Sequence, residues 1–131
     1  MSSGAAPAVR PRFLRLIDIR FPVGAIASIG HRLSGLLMAA ALPLLPLLLD
    51  RSLRSRQQYE ALADGWRSAW FAPLEFLLIW AVLHHVLAGI RHLLMDIGIG
   101  TDLRHARASA RAVLALAFIA AAALAAWRRW P

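Results

Sequence analysis

Two short runs place ionisable side chains inside stretches that are otherwise apolar. One is Ser28-Ile29-Gly30-His31-Arg32, near the start of the first apolar stretch. The other is His84-His85-Val86-Leu87-Ala88-Gly89-Ile90-Arg91-His92, near the end of the second, with Asp96 just beyond it. Ionisable groups in hydrocarbon are expensive, so they are functional candidates by default. Ser28 and Arg32 are four apart and share a helix face, with His31 beside them. His85 and His92 are seven apart, on one face and about 10.5 Å apart along the axis. Gly89, one turn after His85, removes side-chain bulk and lets a planar macrocycle approach the backbone. One imidazole at depth with cationic groups above it suits a haem, its propionates reaching arginines at the interface.

Each of these residues also has a structural reading. Arg32 and Arg91 can snorkel to headgroups. His92 can be an interfacial histidine with no ligand, since it lies close to the end of its span. His84, about 100° around the helix from His85, faces a neighbour or headgroups rather than a metal. His105 reads as a solvated loop residue. A lone buried histidine is more often hydrogen-bonded than metal-bound, so periodicity leaves both readings of His85 open.

Positioning these residues requires membrane-spanning helices. The chain has 131 residues, of which 60% are hydrophobic, and a mean hydropathy of +0.59; a soluble domain is nearer 45–50% apolar. The excess lies in three uncharged stretches, residues 33–49, 76–90 and 112–127. They predict an all-α membrane protein with transmembrane helices at about 25–49, 73–95 and 109–127, each long enough to cross about 30 Å of hydrocarbon. Residues 1–24 read as a loose tail and a surface segment, and 25–131 as the transmembrane domain. Pro43 and Pro46 predict a kink in the first span, residues 50–67 a polar loop, and residues 98–109 a glycine-bearing loop. Trp66, Trp70 and Phe71 form an interfacial belt before Pro73, which suits a first helical turn. The alanine-rich third span predicts close helix packing. Neighbouring antiparallel spans bring both ionisable runs to one membrane face.

All 15 basic residues are arginines, against seven acidic ones. Most flank apolar runs, which is the placement of membrane-flanking charge rather than of a nucleic-acid surface. Eight arginines on the side of the N-terminus and second loop, against six on the other, predict a cytoplasmic N-terminus. With no cysteine, the chain holds no disulfide, no CxxCH haem attachment and no thiolate-bound iron–sulfur cluster. Nor does a glycine-rich nucleotide motif follow a strand-like run. The absence of a transit peptide points to a bacterial inner membrane.

The two runs resemble the paired signatures of the cytochrome b subunit of succinate dehydrogenase, the larger membrane anchor of respiratory complex II. The first is Arg10-Pro11, then IRFPVGAIAS, then Ser28-x-x-His31-Arg32-x-Ser34-Gly35. The second is His85-x-x-x-Gly89-Ile90-Arg91-His92-Leu93-x-Met95-Asp96-x-Gly98. Arg12 departs from the apolar residue usual after Arg-Pro. The likeness covers most of residues 10–100, and the third span matches by position and character.

The resemblance implies half of a helical bundle completed by a second small anchor subunit. It implies haem b with His85 as one axial ligand and the other from that partner. Ser28, His31 and Arg32 would lie at the quinone and haem-propionate region, where Ser28 offers a hydroxyl to a carbonyl of ubiquinone or menaquinone. Arg91 and His92 match the same region by motif, and Asp96 a proton path. An iron–sulfur subunit and a flavoprotein would carry the chemistry that this chain lacks. Alternatives are a quinol:fumarate reductase anchor, a haem held within the chain by His31 and His85, and a small non-redox membrane subunit.

Overall fold

The computed structural model describes residues 20–129. The tail, most of the surface segment, the Arg10-Pro11 motif and Trp130 lie outside them. The described residues form five α-helices in order: α1 (Val23–Ala41), α2 (Leu44–Arg54), α3 (Arg56–Arg67), α4 (Ala72–Asp96) and α5 (Leu103–Arg128), with a 3-10 turn at Ala69–Phe71 leading into α4. Among the described residues three stretches are long and apolar enough to cross a membrane: Val23–Arg54, Ala69–Asp96 and Leu103–Arg128. The all-helical, three-span reading holds.

The first span differs from expectation in how it breaks. Pro43 has no N–H for the helix ladder, and α1 stops at Ala41 while α2 restarts at Leu44. Pro46 breaks nothing. As the third residue of α2 it occupies a position whose N–H has no intrahelical partner in any helix.

Residues 50–67 are the end of α2 and all of α3, joined at Ser55, not a loop. Asp50 pairs with Arg54 at 2.6 Å and Arg56 with Glu60 at 2.7 Å, both four apart on one face. Ser55 caps α3 by accepting from the Gln58 amide at 3.2 Å. Ser-x-x-Gln is a helix-start signature that the polar composition hides. The second expected loop is shortened likewise. Gly98 and Gly100, at φ of +84° and +71°, end α4 in the left-handed region that glycine adopts without strain. Asp102 then caps α5 by accepting from the Arg104 and His105 amides, each at 3.1 Å. His105 therefore sits in the first turn of α5, exposed and paired with Asp102.

Packing runs through small side chains. Ala81 and Ala88 of α4, Ala110, Ala117 and Ala121 of α5, and Ala27 and Ser34 of α1 are buried, whereas Leu36, Leu93 and Ile119 are more than 60% exposed. A soluble fold buries its leucines. Here bulky apolar groups face outward and small ones let the backbones approach, the pattern of helices associating in lipid. The alanine-rich third span packs as its composition predicts.

Candidate functional site

Helix α1 meets α4 through imidazoles. The His31 and His85 rings stack with centroids 4.2 Å apart and planes 20° from parallel. His92 meets His31 edge to face at 5.1 Å. Ser28, His31, His85 and His92 are half-buried. The seven-residue spacing thus brings His85 and His92 to one face, and His31 lies against both.

His84 and His85, adjacent in sequence, both reach backbone carbonyls of α1, through different nitrogens. His84 Nε2 lies 3.3 Å from the Ala27 carbonyl oxygen. His85 Nδ1 lies 3.2 Å from the His31 carbonyl oxygen and 3.4 Å from Ser34 Oγ. A carbonyl only accepts, so the nitrogen facing it carries the proton. The two rings are therefore opposite tautomers. His84 keeps its lone pair on Nδ1, a buried atom with no partner. His85 keeps its lone pair on Nε2, which has no hydrogen-bond partner among the described residues. An imidazole whose Nδ1–H is held by a carbonyl has its Nε2 lone pair available to accept a proton or a metal ion.

Two glycines of α1 make room for these rings. A Cβ at Gly30 would fall 2.6 Å from His84 Nε2, and one at Gly35 would fall 2.9 Å from His85 Cε1. Gly89 has a different neighbour from the one expected, since the atom near its missing Cβ is His31 Nε2 at 3.5 Å. Ser34, fully buried, donates to the His31 carbonyl at 2.9 Å. Gly30, Ser34 and Gly35 are visible in the sequence as small residues beside His31, but which rings they receive depends on the packing of α4.

The other expected site residues separate. Arg32 is exposed. Asp96 is exposed at the last residue of α4. Arg91 turns away from the imidazoles and is buried against α5, where its Nε donates to Ser109 Oγ at 3.0 Å and its Nη2 to the Ala106 carbonyl at 3.1 Å. His84 faces a neighbouring helix, as its position around α4 suggests. It is fully buried and stacked on Trp80, with centroids 5.1 Å apart and planes 13° from parallel. An unpartnered buried acceptor costs about 1–3 kcal/mol, so apolar packing alone does not favour histidine at 84.

Sequence reasoning missed Glu75. It lies in the first turn of α4, its side chain is 5% exposed, and it meets Arg128 Nε at 2.7 Å and Arg129 Nη2 at 3.3 Å. A groove of about 630 Å3, lined by Leu37, Leu44, Leu62, Trp66 and Leu74 among others, has no titratable side chain in its lining. Of the buried polar residues, Ser34 and His84 lie where α1 crosses α4, and Glu75 and Arg91 face α5 or its C-terminal end.

The arrangement is that of a multi-helix membrane protein with a polar, histidine-rich seam between two spanning helices. Residues 8–124 match the family described as succinate dehydrogenase/fumarate reductase transmembrane subunit. The chain is 36% identical over 121 residues to a succinate dehydrogenase cytochrome b556 subunit of Coxiella burnetii, covering 92% of this chain and 97% of that one. It is 34% identical over 110 residues to the protein of the same description from Paracoccus denitrificans, covering 81% and 82%. The chain belongs to the succinate dehydrogenase/fumarate reductase transmembrane-subunit family.

Proposed function

We propose that this chain is the membrane anchor of a succinate:quinone oxidoreductase that supplies one axial ligand to haem b and part of the quinone-reduction site. The observation that carries the reading is the His85 tautomer. Its proton is committed to the His31 carbonyl and its Nε2 lone pair is free, whereas neighbouring His84 has the reverse arrangement. The residues present fit a haem, because Gly35 leaves room for the His85 ring and the small side chains of α1 keep that edge open. When bound, the haem supplies a one-electron redox centre at membrane depth.

The stacked rings of His31 and His85 disfavour the version in which both ligate one iron. Rings held face to face do not aim their nitrogens at one point between them, so from this chain His85 alone would hold the group. On this reading the second ligand is supplied by a companion anchor subunit. His31 and His92 stand at the edge where propionates would emerge.

Quinone reduction consumes two electrons and two protons, and succinate oxidation to fumarate releases the same number. A chain without cysteine cannot carry the iron–sulfur relay, so an iron–sulfur subunit and a flavoprotein complete the path. Ser28, half-buried one turn before Arg32, donates its hydroxyl proton toward a quinone carbonyl oxygen. Arg32 provides positive charge where the quinone oxygen becomes anionic, an interaction strengthened by the low surrounding dielectric. Asp96, exposed at the end of α4 on the same membrane face, passes protons from water. Both named relatives are described as succinate dehydrogenase subunits, which favours this direction over quinol:fumarate reduction. The location proposed is a bacterial inner membrane, with the N-terminus cytoplasmic. A reduced-minus-oxidised spectrum of the purified complex tests the reading: a b-type band lost in His85→Ala supports it, and no b-type band in the wild type refutes it.

A further inference from the structure

We propose that His84 is a positioning residue that sets the rotation of α4 about its axis and thereby the hydrogen bond and iron-facing direction of His85. This inference rests on the reading of His85 as haem ligand.

His84 is held at three points. Its Nε2–H donates to the Ala27 carbonyl, its ring stacks on Trp80, and its Nε2 occupies space that a Cβ at Gly30 would fill. One residue later, His85 donates to the His31 carbonyl. Ala27 and His31 are four apart on α1, so the two histidines grip successive carbonyls of one helix face. They sit on adjacent residues about 100° apart around α4, so a rotation of the helix about its axis carries both rings together. With side chains reaching about 5–6 Å from a helix axis, a rotation of roughly 15° moves a ring by about 1.5 Å. That displacement breaks a 3.2 Å hydrogen bond. The unpartnered Nδ1 of His84 fits this account. A histidine kept for its Nε2 donor tolerates an idle acceptor, whereas one kept for packing would be better replaced by an apolar ring.

The consequence falls on the iron. A held Nδ1–H makes the imidazole a stronger donor and favours the oxidised metal. Releasing His84 loosens the His85 bond to the His31 carbonyl and raises the haem midpoint potential. The test is a potentiometric titration with low-spin EPR on the intact complex in native membranes, comparing wild type, His84→Phe and His84→Gln. Phenylalanine keeps the volume and the stack on Trp80 but has no donor; the glutamine amide can still donate to the Ala27 carbonyl. The expected result for His84→Phe is an upward shift equivalent to about a tenfold change in the reduced-to-oxidised ratio, about 59 mV for one electron, with altered g-values. Glutamine should restore both. Should His84→Phe fail to assemble, Gly30→Ala displaces the same ring from α1 and must shift the potential in the same direction. Wild-type potential and g-values in an assembled His84→Phe or Gly30→Ala complex overturn the inference while leaving the haem reading intact. A wild-type complex without a b-type spectrum overturns both.

Discussion

Glu75 and Arg128 meet 2.7 Å apart at the end of the bundle remote from the imidazoles, one in the first turn of α4 and the other in the last turn of α5. Each charge sits at the helix end whose dipole favours it. At the opposite end, Arg91 reaches Ser109 and the Ala106 carbonyl. The two spans are thus fastened at both ends, with buried alanines between.

Removing the two arginines should harm the bundle more than removing the acid. Arg128→Ala with Arg129→Ala leaves Glu75 buried without a counter-charge, a loss of about 3–5 kcal/mol. In Glu75→Leu the arginines, already partly exposed, return to water and the cost is smaller. Thermal unfolding of the detergent-solubilised complex gives the order. A lower midpoint for Glu75→Leu than for the double variant would contradict it.

The two stacked histidines should behave differently. His85→Ala abolishes the low-spin b-type spectrum, whereas His31→Ala retains it and slows quinone turnover. Loss of low-spin haem in His31→Ala would restore the intrachain-ligand version.

Glycine substitutions should divide by location. Gly35→Ala places a Cβ 2.9 Å from the His85 ring, so haem content per assembled complex falls. Gly65 in α3 has open space where its Cβ would be. Gly65→Ala should leave haem content unchanged and raise stability by about 0.5–1 kcal/mol through helix propensity. Haem-to-protein ratios and unfolding midpoints check the pair.

Arg32→Ala should lower the rate of quinone reduction while succinate oxidation by an artificial dye continues, because the dye bypasses the membrane site. Equal quinone rates in variant and wild type would remove Arg32 from the site.

The cap of α5 should depend on acidity. The His105 amide, then its side chain, hold the Asp102 carboxyl below the usual carboxylate range. A depressed pKa means that the cap's contribution is complete above about pH 4 and is lost as pH falls through the lower folded value. Amide exchange at Arg104 and His105, corrected for intrinsic rates, should show protection falling there. Asp102→Asn should keep the cap and flatten this dependence.

Much of the architecture was readable along the chain. Apolar runs interrupted by arginines and tryptophans mark spans because lipid offers a backbone no hydrogen bonds, and a helix satisfies its own. The spacing of His85 and His92 put them on one face because helical periodicity is local. At residues 50–67 polar composition conceals capping and four-apart ion pairs that are also local. Packing across helices was not readable in this way. No spacing rule shows that Gly30 and Gly35 receive the rings of His84 and His85, that Arg91 turns to α5 while His92 turns to His31, or that Glu75 waits for arginines more than fifty residues away. Nor could it give two adjacent histidines opposite protons. Those outcomes depend on which carbonyl lies opposite each ring, and that is decided only when α1 packs on α4.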